Sequence, residues 1–221
     1  MVRVTFALLF VLLWFHPGET AEIVGFGANS GCGPGGQPYV VTSLADSGPG
    51  TLRDAVSRSG RCVSFAVSGE IRPSGPIRFL GSNLTVDGTT APDPGVTIIG
   101  HGLEIRDVAR HDIIVRGLRI RDANGDGIAV GWSAYLIALD GNSIDGSGDG
   151  NLDITHGAHN VTAQHNILGC TLHNKNMLLK TQLDLGLNVE TNRVTLYRNL
   201  FVCSQNRNPI ISHLHRGERM S

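Results

Sequence analysis

Short apolar segments separated by polar turn residues dominate the chain from residue 63 onwards. Each segment is four or five residues long, is rich in Val and Ile, and is bounded by Gly, Asp, Asn or Pro, which is typical of β-strands. No helical periodicity extends beyond residue 58. The pattern predicts one strand at 39–42 and twelve more at 63–66, 83–86, 96–99, 102–105, 112–115, 117–121, 127–130, 135–139, 151–154, 160–163, 176–179 and 193–197.

The segments also repeat at a nearly constant interval. One column of apolar positions advances in two steps of about 24 residues and then one longer step: Ile120, Ile144, Leu168 and Phe201. An asparagine column has the last two of these steps: Asn142, Asn166 and Asn199. A β-sandwich does not repeat at fixed spacing, whereas a solenoid has one coil per repeat and stacks equivalent residues. We therefore predict an all-β, single-stranded parallel β-helix whose asparagines form a ladder at a turn.

Two segments depart from the repeat. Residues 51–57 predict a short helix, because Thr51 is a favourable N-cap and Asp54 lies in the first turn. We expect this helix to cap the open N-terminal end of the solenoid. The last step of the repeat is longer than the others and predicts a protruding loop near 181–191, which would wall a binding groove.

The same register places charged residues in one stripe. Four positions follow nearly the same steps, and the last step is again the longest: Asp126, Gly150, Lys175 and Arg207. Positions one coil apart lie about 4.8 Å from each other in adjacent parallel strands. Asp149 directly precedes Gly150, and Asp153 shares a face with Asp149 because strand side chains alternate. The register therefore brings three carboxylates together.

Three carboxylates within a few ångströms would repel each other unless a cation lay among them. Oxygen-only ligands on an open surface favour calcium over magnesium. We therefore predict a calcium site formed by Asp126, Asp149 and Asp153, with Asn124 as a further oxygen ligand.

Lys175 and Arg207 continue the stripe as cations. Beside a metal ion they would hold substrate carboxylates, so the stripe suits an anionic polymer. The net charge of −1 gives no electrostatic footprint for nucleic acid. His213 and His215 alternate in an irregular tail, and no third and fourth ligand completes a zinc site there.

Composition and length agree with this picture. Charged residues make up 17% of the 221 residues and glycines number 29, which suits a turn-rich β protein of one domain. Residues 1–21 predict a secretory signal, with Arg3 before the apolar run 4–15 and cleavage after Ala21. That run is too short for a membrane span. We therefore expect a secreted, extracellular domain at 22–221.

Four cysteines fit an oxidising compartment. Cys170 and Cys203 are separated by the same interval as Asn166 and Asn199, so we expect them to stack on neighbouring coils and form a disulfide. Cys32 and Cys62 remain as the second pair. Two acceptor sequences for N-glycosylation predict a glycoprotein: Asn83-Leu-Thr and Asn160-Val-Thr.

Six motifs follow one another in a characteristic order: Val41-Thr-Ser-Leu-Ala-Asp-Ser-Gly-Pro-Gly-Thr-Leu-Arg-Asp-Ala55, Phe65-Ala-Val-Ser-Gly-Glu-Ile71, Gly125-Asp-Gly-Ile128, Asp149-Gly-Asn-Leu-Asp-Ile-Thr155, Asn174-Lys-Asn-Met-Leu178 and Arg207-Asn-Pro209. They resemble the lead-in, the next strand, the two calcium motifs, the substrate-lysine motif and the catalytic-arginine segment of polysaccharide lyase family 1, the pectate lyases. The resemblance covers residues 24–212, and the motif at 149–155 is its most specific match.

The resemblance implies a right-handed parallel β-helix that cleaves polygalacturonate by calcium-dependent β-elimination. The three aspartates would hold calcium, which bridges to the substrate uronate and acidifies its C5 proton. Lys175 would bind a substrate carboxylate, and Arg207 would take the C5 proton. Free arginine has a pKa above about 12, so neighbouring cations and partial burial would have to favour its neutral form. We expect a monomer that binds pectin polysaccharide and neither nucleic acid nor membrane.

Three features depart from the family pattern. Ser212 stands where the family usually has a second arginine, and Asn124 stands where many members have aspartate. The chain also stops soon after the Arg207 coil, where relatives continue, so the C-terminal end would be uncapped, truncated or differently covered. One alternative is therefore a catalytically inactive β-helix that binds uronate polymers. Another is a β-helix glycoside hydrolase, whose pair of acid and base carboxylates would leave Lys175 and Arg207 unexplained. Calcium dependence and an unsaturated product distinguish the lyase from the hydrolase.

Overall fold

The computed structural model describes residues 22–180 and 190–212, and nearly all regular structure in them is β. One short helix, α1 (Leu52–Ala55), precedes most of the strands. The strands are β1 (Gln37–Val41), β2 (Arg61–Phe65), β3 (Gly69–Ile71), β4 (Ile77–Arg78), β5 (Leu84–Asp87), β6 (Val96–Ile99), β7 (Leu103–Arg106), β8 (His111–Arg116), β9 (Arg119–Arg121), β10 (Ile128–Gly131), β11 (Tyr135–Asp140), β12 (Ser143–Asp145), β13 (Gly150–Thr155), β14 (His159–Gln164), β15 (Ile167–Leu168), β16 (Lys175–Lys180), β17 (Asn192–Tyr197), β18 (Leu200–Phe201) and β19 (Ile210–Ser212).

Each coil contributes one strand to each of three sheets. The first sheet has the order β1-β2-β5-β8-β11-β14-β17, and the second, here called the site sheet, has the order β4-β7-β10-β13-β16-β19. The third sheet has the order β3-β6-β9-β12-β15-β18. The paired strands of each sheet run parallel, as in β10 with β13 and β13 with β16. The predicted parallel β-helix is confirmed.

The interior consists of stacked aliphatic columns. Ile120, Ile144, Leu168 and Phe201 are successive partners in the third sheet, so the sequence repeat marks the coils as predicted. The first three are essentially inaccessible to solvent. Fully burying an aliphatic side chain contributes roughly 1.5–3 kcal/mol, so these columns are the main source of stability.

The predicted strands all coincide with observed ones, with ends that differ by one or two residues. Six strands of two or three residues were not predicted: β3, β4, β12, β15, β18 and β19. A strand of two or three residues is too short to show alternation. Such a strand is defined by its pairing with neighbouring coils, which a short stretch of sequence does not show.

Helix α1 begins where the sequence indicates. The Thr51 side chain accepts a hydrogen bond from the Asp54 backbone N–H, and Leu52 and Ala55 are buried in the core. The helix ends at Ala55, two residues before the predicted end, because Val56 leaves the helical conformation. Its contacts with β1 and β4 place it over the first coils, in agreement with the predicted cap.

Both predicted disulfides are present. Cys170 and Cys203 lie on neighbouring coils with their Cα atoms 4.7 Å apart. Cys32 and Cys62 join the N-terminal segment to β2 with a Cα separation of 5.4 Å. No free cysteine occurs in the described ranges.

The asparagine ladder is also confirmed. Asn142 donates its side-chain amide to Asn166 Oδ1 at 3.1 Å, and Asn166 donates to Asn199 Oδ1 at 3.0 Å. Asn166 Oδ1 also accepts the Asn142 backbone N–H at 2.9 Å. Asn142 and Asn166 are each 1% exposed, so water does not replace these bonds when they are lost.

We expect Asn166→Ala to destabilise the protein by about 2–4 kcal/mol, because it leaves two buried donors of Asn142 without an acceptor. The urea midpoint of unfolding measures this change. Asn192→Ala is the matched control, since the Asn192 amide is exposed and bonds only to the nearby Glu190 carbonyl. Equal midpoints for the two variants would contradict a stabilising ladder.

The last described coil has an open side. Ile211 pairs with the buried Leu179, yet Ile211 is 73% exposed. The predicted signal segment 1–21, most of the predicted loop at 181–191, and His213, His215 and the tail beyond them lie outside the described residues. In the ranges 22–180 and 190–212, no helix is long and apolar enough to cross a membrane.

Candidate functional site

The charged stripe predicted from the register lies on the outer face of the site sheet. Lys175 Nζ is 2.8 Å from Asp149 Oδ1. Arg207 Nη1 is 3.8 Å from the same oxygen and 3.7 Å from Asp153 Oδ2. Asp126 Oδ1 accepts the Gly150 backbone N–H at 3.1 Å. Five of the six predicted site residues therefore belong to one cluster.

The register at Arg207 differs slightly from the regular spacing. Gly150 pairs with Lys175 as predicted, but the bridge partner of Lys175 is Asn206. Arg207 follows with a φ of 55°, in the left-handed region that is uncommon for residues other than glycine. The irregular backbone at this position directs the guanidinium towards Asp149 and Asp153.

Asn124, the sixth predicted residue, lies beside the cluster. It lines a cavity of about 270 Å³ together with Asp126, Glu104 and Arg106. Its side-chain nitrogen is 3.5 Å from His101 Nε2. The structure therefore places Asn124 near Asp126.

Sequence reasoning missed the cations and carboxylate that extend the site towards the first coils. Arg106 Nη2 is 3.6 Å from Asp126 Oδ2, and Glu104 lies between Arg106 and Arg78. Glu104 belongs to one outward-facing row of paired positions that continues over three coils. It pairs with Ala129, and Ala129 pairs with Asp153. The aliphatic Ala129 interrupts the charge pattern and hides this row in the sequence.

The electrostatics of the aspartates are unfavourable without a further cation. Burial, followed by the charge of Asp126, raises the pKa of Asp153 to about 7, although Arg207 opposes the shift. Burial also raises the pKa of Asp126, and the charge of Asp149 adds to this increase. The Asp153 side chain is only 10% exposed, so solvent does little to relieve the repulsion.

The donor set fits a hard divalent cation. In the described ranges, no three side chains of the His, Cys, Asp and Glu types are already arranged around a metal position. Lys175 and Arg207 instead contact the carboxylates. The sheet keeps space for Asp153, because a Cβ atom at Gly150 would collide with Asp153 Oδ1. Oxygen-only donors are typical of calcium ligands.

A second asparagine ladder supports the two cations from inside the coil. Asn151 donates to Asn176 Oδ1 at 2.6 Å, and Asn176 donates to Asn208 Oδ1 at 2.9 Å. Asn176 follows Lys175 and Asn208 follows Arg207, so the ladder fixes the backbone on which both cations stand. The three asparagines repeat at the same intervals as the charged stripe, so the sequence could have revealed this ladder.

Ser212 occupies the position where the resemblance leads one to expect an arginine. It pairs with Lys180 on the neighbouring coil, so a cation lies one strand away from it. Lys180 was not predicted as a site residue, because it lies outside the motifs that resemble the family.

The coils and the mixed acidic and basic groove define a parallel β-helix protein with a polar site on one sheet. The chain is 38% identical over 192 residues to the probable pectate lyase C of Emericella nidulans, which covers 84% of this chain and 42% of that protein. The protein of the same name from Aspergillus fumigatus is 36% identical over 220 residues, which covers 94% and 49%. The chain is thus a pectate lyase homologue over most of its length. No family model matches it.

Solved structures have the same fold. The crystal structure of jun a 1, the major allergen from cedar pollen, superposes with a TM-score of 0.71 at 25% identity and covers 84% of this chain and 60% of that one. A pectate lyase variant from Xanthomonas campestris has the same fold, with a TM-score of 0.56 at 18% identity over 85% and 63% of the two chains. The chain spans less than half the length of the fungal relatives given above.

Proposed function

We propose that the protein is a secreted, calcium-dependent pectate lyase that cleaves polygalacturonate by β-elimination. The observation that carries the proposal is the convergence of Asp149, Asp153, Lys175 and Arg207 within ion-pair distance on one sheet. A hydrolase would need a pair of acid and base carboxylates around the bond and would leave the two cations without a role.

Asp126, Asp149 and Asp153 would hold calcium, with Asn124 close to Asp126. When bound, calcium withdraws electron density from a uronate carboxylate and makes the neighbouring C5–H more acidic. Lys175 binds the substrate carboxylate as a mobile point charge. The binding of a cation by the carboxylates would also release Lys175 and Arg207 from their present ion pairs.

Arg207, in its neutral form, would take the C5 proton. The electron pair of the C5–H bond then forms the C4–C5 double bond, while the C4–O glycosidic bond breaks. The leaving oxygen is protonated by solvent, so the products are a new non-reducing end with a double bond and an ordinary reducing end. Arg207 is half-buried at 22% exposure, which keeps the proton transfer away from bulk water.

Two disulfides support an extracellular location, since such bonds persist in oxidising compartments. Asn83 is exposed, so its acceptor sequence is accessible to glycosylation. We also propose that the protein acts as a monomer on pectin, without nucleic-acid or membrane partners.

We expect the protein to generate ultraviolet absorbance from the C4–C5 double bond when it is incubated with polygalacturonate and calcium at alkaline pH. A chelator should remove the signal, and added calcium should restore it. Polymer without protein and protein without polymer are the controls. New reducing ends without absorbance would identify a hydrolase and contradict the proposal.

A second candidate is an inactive β-helix that binds uronate polymers, and Ser212 favours it because one expected cation is missing from the sheet. Folded protein that binds polygalacturonate but forms no unsaturated product would establish this function. Recovery of product formation in Ser212→Arg would then show that the missing guanidinium is the cause.

A further inference from the structure

A second cavity lies on the site sheet, towards the first coils. It has a volume of about 410 Å³ and is lined mainly by Arg78, Glu104, Arg106, Asp107, Arg110 and Trp132. Glu104 and Arg106 also line the cavity that contains Asp126. The two cavities therefore adjoin each other at Glu104 and Arg106, and the second of them contains Asp126.

Trp132 is held as an exposed aromatic platform. Its side chain lines the cavity, is 38% exposed, and stacks on His156 with ring centroids 4.9 Å apart and an angle of 7° between the planes. Trp132 and Ser133 have φ angles of 56° and 63°, so two successive residues are left-handed directly after β10. His156, one coil later, is also left-handed with a φ of 51°, so this backbone belongs to a turn that recurs along the coils.

The charges around Trp132 suit a carboxylate ligand. Arg78 and Arg106 share Glu104, at 2.8 and 3.4 Å, and Arg106 also lies 3.6 Å from Asp126 Oδ2. Arg110 donates to the Ala109 carbonyl and pairs with no carboxylate within the described ranges. A guanidinium group binds carboxylate with two parallel hydrogen bonds. An aromatic ring beside guanidinium groups therefore matches a sugar ring that carries a carboxylate.

We propose that this cavity is a distal binding subsite for a uronate ring of the polymer, with Trp132 stacked on the sugar face and Arg110 paired with its carboxylate. The proposal rests on the proposed function and deepens it, because it adds a binding position several coils away from Arg207. It predicts that long oligomers bind more tightly than short ones that cannot reach Trp132.

A direct test uses the fluorescence of Trp132. The chain has two tryptophans, at positions 14 and 132, so protein cleaved after Ala21 has Trp132 as its sole reporter, and Trp14→Phe gives the same result in protein that keeps residues 1–21. We expect titration with long oligogalacturonate in chelator to change the emission and to saturate. The neutral polymer dextran is the control and should have no effect. An unchanged emission while the protein cleaves the same oligomer would overturn the subsite and leave the lyase function standing.

Variants provide the second test. In Trp132→Ala and Arg110→Gln, we expect KM for long oligogalacturonate to rise on the order of tenfold, with kcat and turnover of trigalacturonate unchanged. Phe26→Ala and Arg72→Gln are matched controls, because both residues are exposed and lie outside the two cavities. An equal rise for long and short oligomers, or an equal rise in the controls, would overturn the subsite.

Arg110→Gln keeps the test decisive if Trp132→Ala does not fold. Saturable binding at Trp132 without any turnover would support the subsite and contradict the lyase function. Absence of both binding and turnover in folded wild-type protein would overturn both proposals.

Discussion

Arg207→Ala is expected to lower kcat on polygalacturonate by about 10²- to 10⁴-fold, the usual contribution of a positioned general base. Arg207 is the guanidinium that contacts both Asp149 and Asp153, and Lys175 remains available to bind the substrate. KM should therefore change much less than kcat. Initial rates of absorbance increase at several polymer concentrations give both constants.

Two companion variants make the result specific. Arg207→Lys keeps a positive charge but loses the planar guanidinium, so kcat should remain low if proton transfer needs that group. Arg193→Ala removes an exposed arginine on β17, outside the site sheet, and should leave both constants unchanged. If Arg207→Ala kept more than about a tenth of the wild-type kcat, the loss would be too small for a general base. The proton acceptor would then be another residue.

The period of the chain explains how much of the fold was predictable. Equivalent residues such as Ile120 and Ile144 stack coil upon coil, so a repeat in the sequence becomes a repeat in space. The same logic brought together Asp149 and Lys175, and it paired Cys170 with Cys203. Wherever the interaction runs along the coil axis, the sequence interval is sufficient to predict it.

Contacts that do not follow one fixed interval were missed. Arg106 reaches Asp126 with a long side chain that crosses between rows, and no spacing rule describes that reach. Trp132 lines a cavity, which the apolar pattern around β10 does not reveal. Short strands such as β15 exist only through pairing with their neighbours. These features depend on local geometry rather than on the repeat.

Calcium at about a hundred times its Kd is expected to raise Tm by about 5–10 °C, because ligand binding to the folded state adds about 2.7 kcal/mol at that concentration. Asp153→Asn should remove this increase. The substitution takes away one of the buried charges but retains an oxygen that can accept the Leu178 backbone N–H, so the strand pairing survives. Thermal unfolding followed by circular dichroism, with calcium and with chelator, measures both shifts.

Asp93→Asn is the matched control, since Asp93 is exposed and lies in a turn before β6. It should retain the full calcium-dependent shift. An equal shift in Asp153→Asn would show that calcium binds elsewhere on the protein. A shift that appears only when oligogalacturonate is present would mean that the substrate carboxylate completes the calcium coordination. Calcium alone would then not displace Lys175 and Arg207 from the oxygens of Asp149 and Asp153.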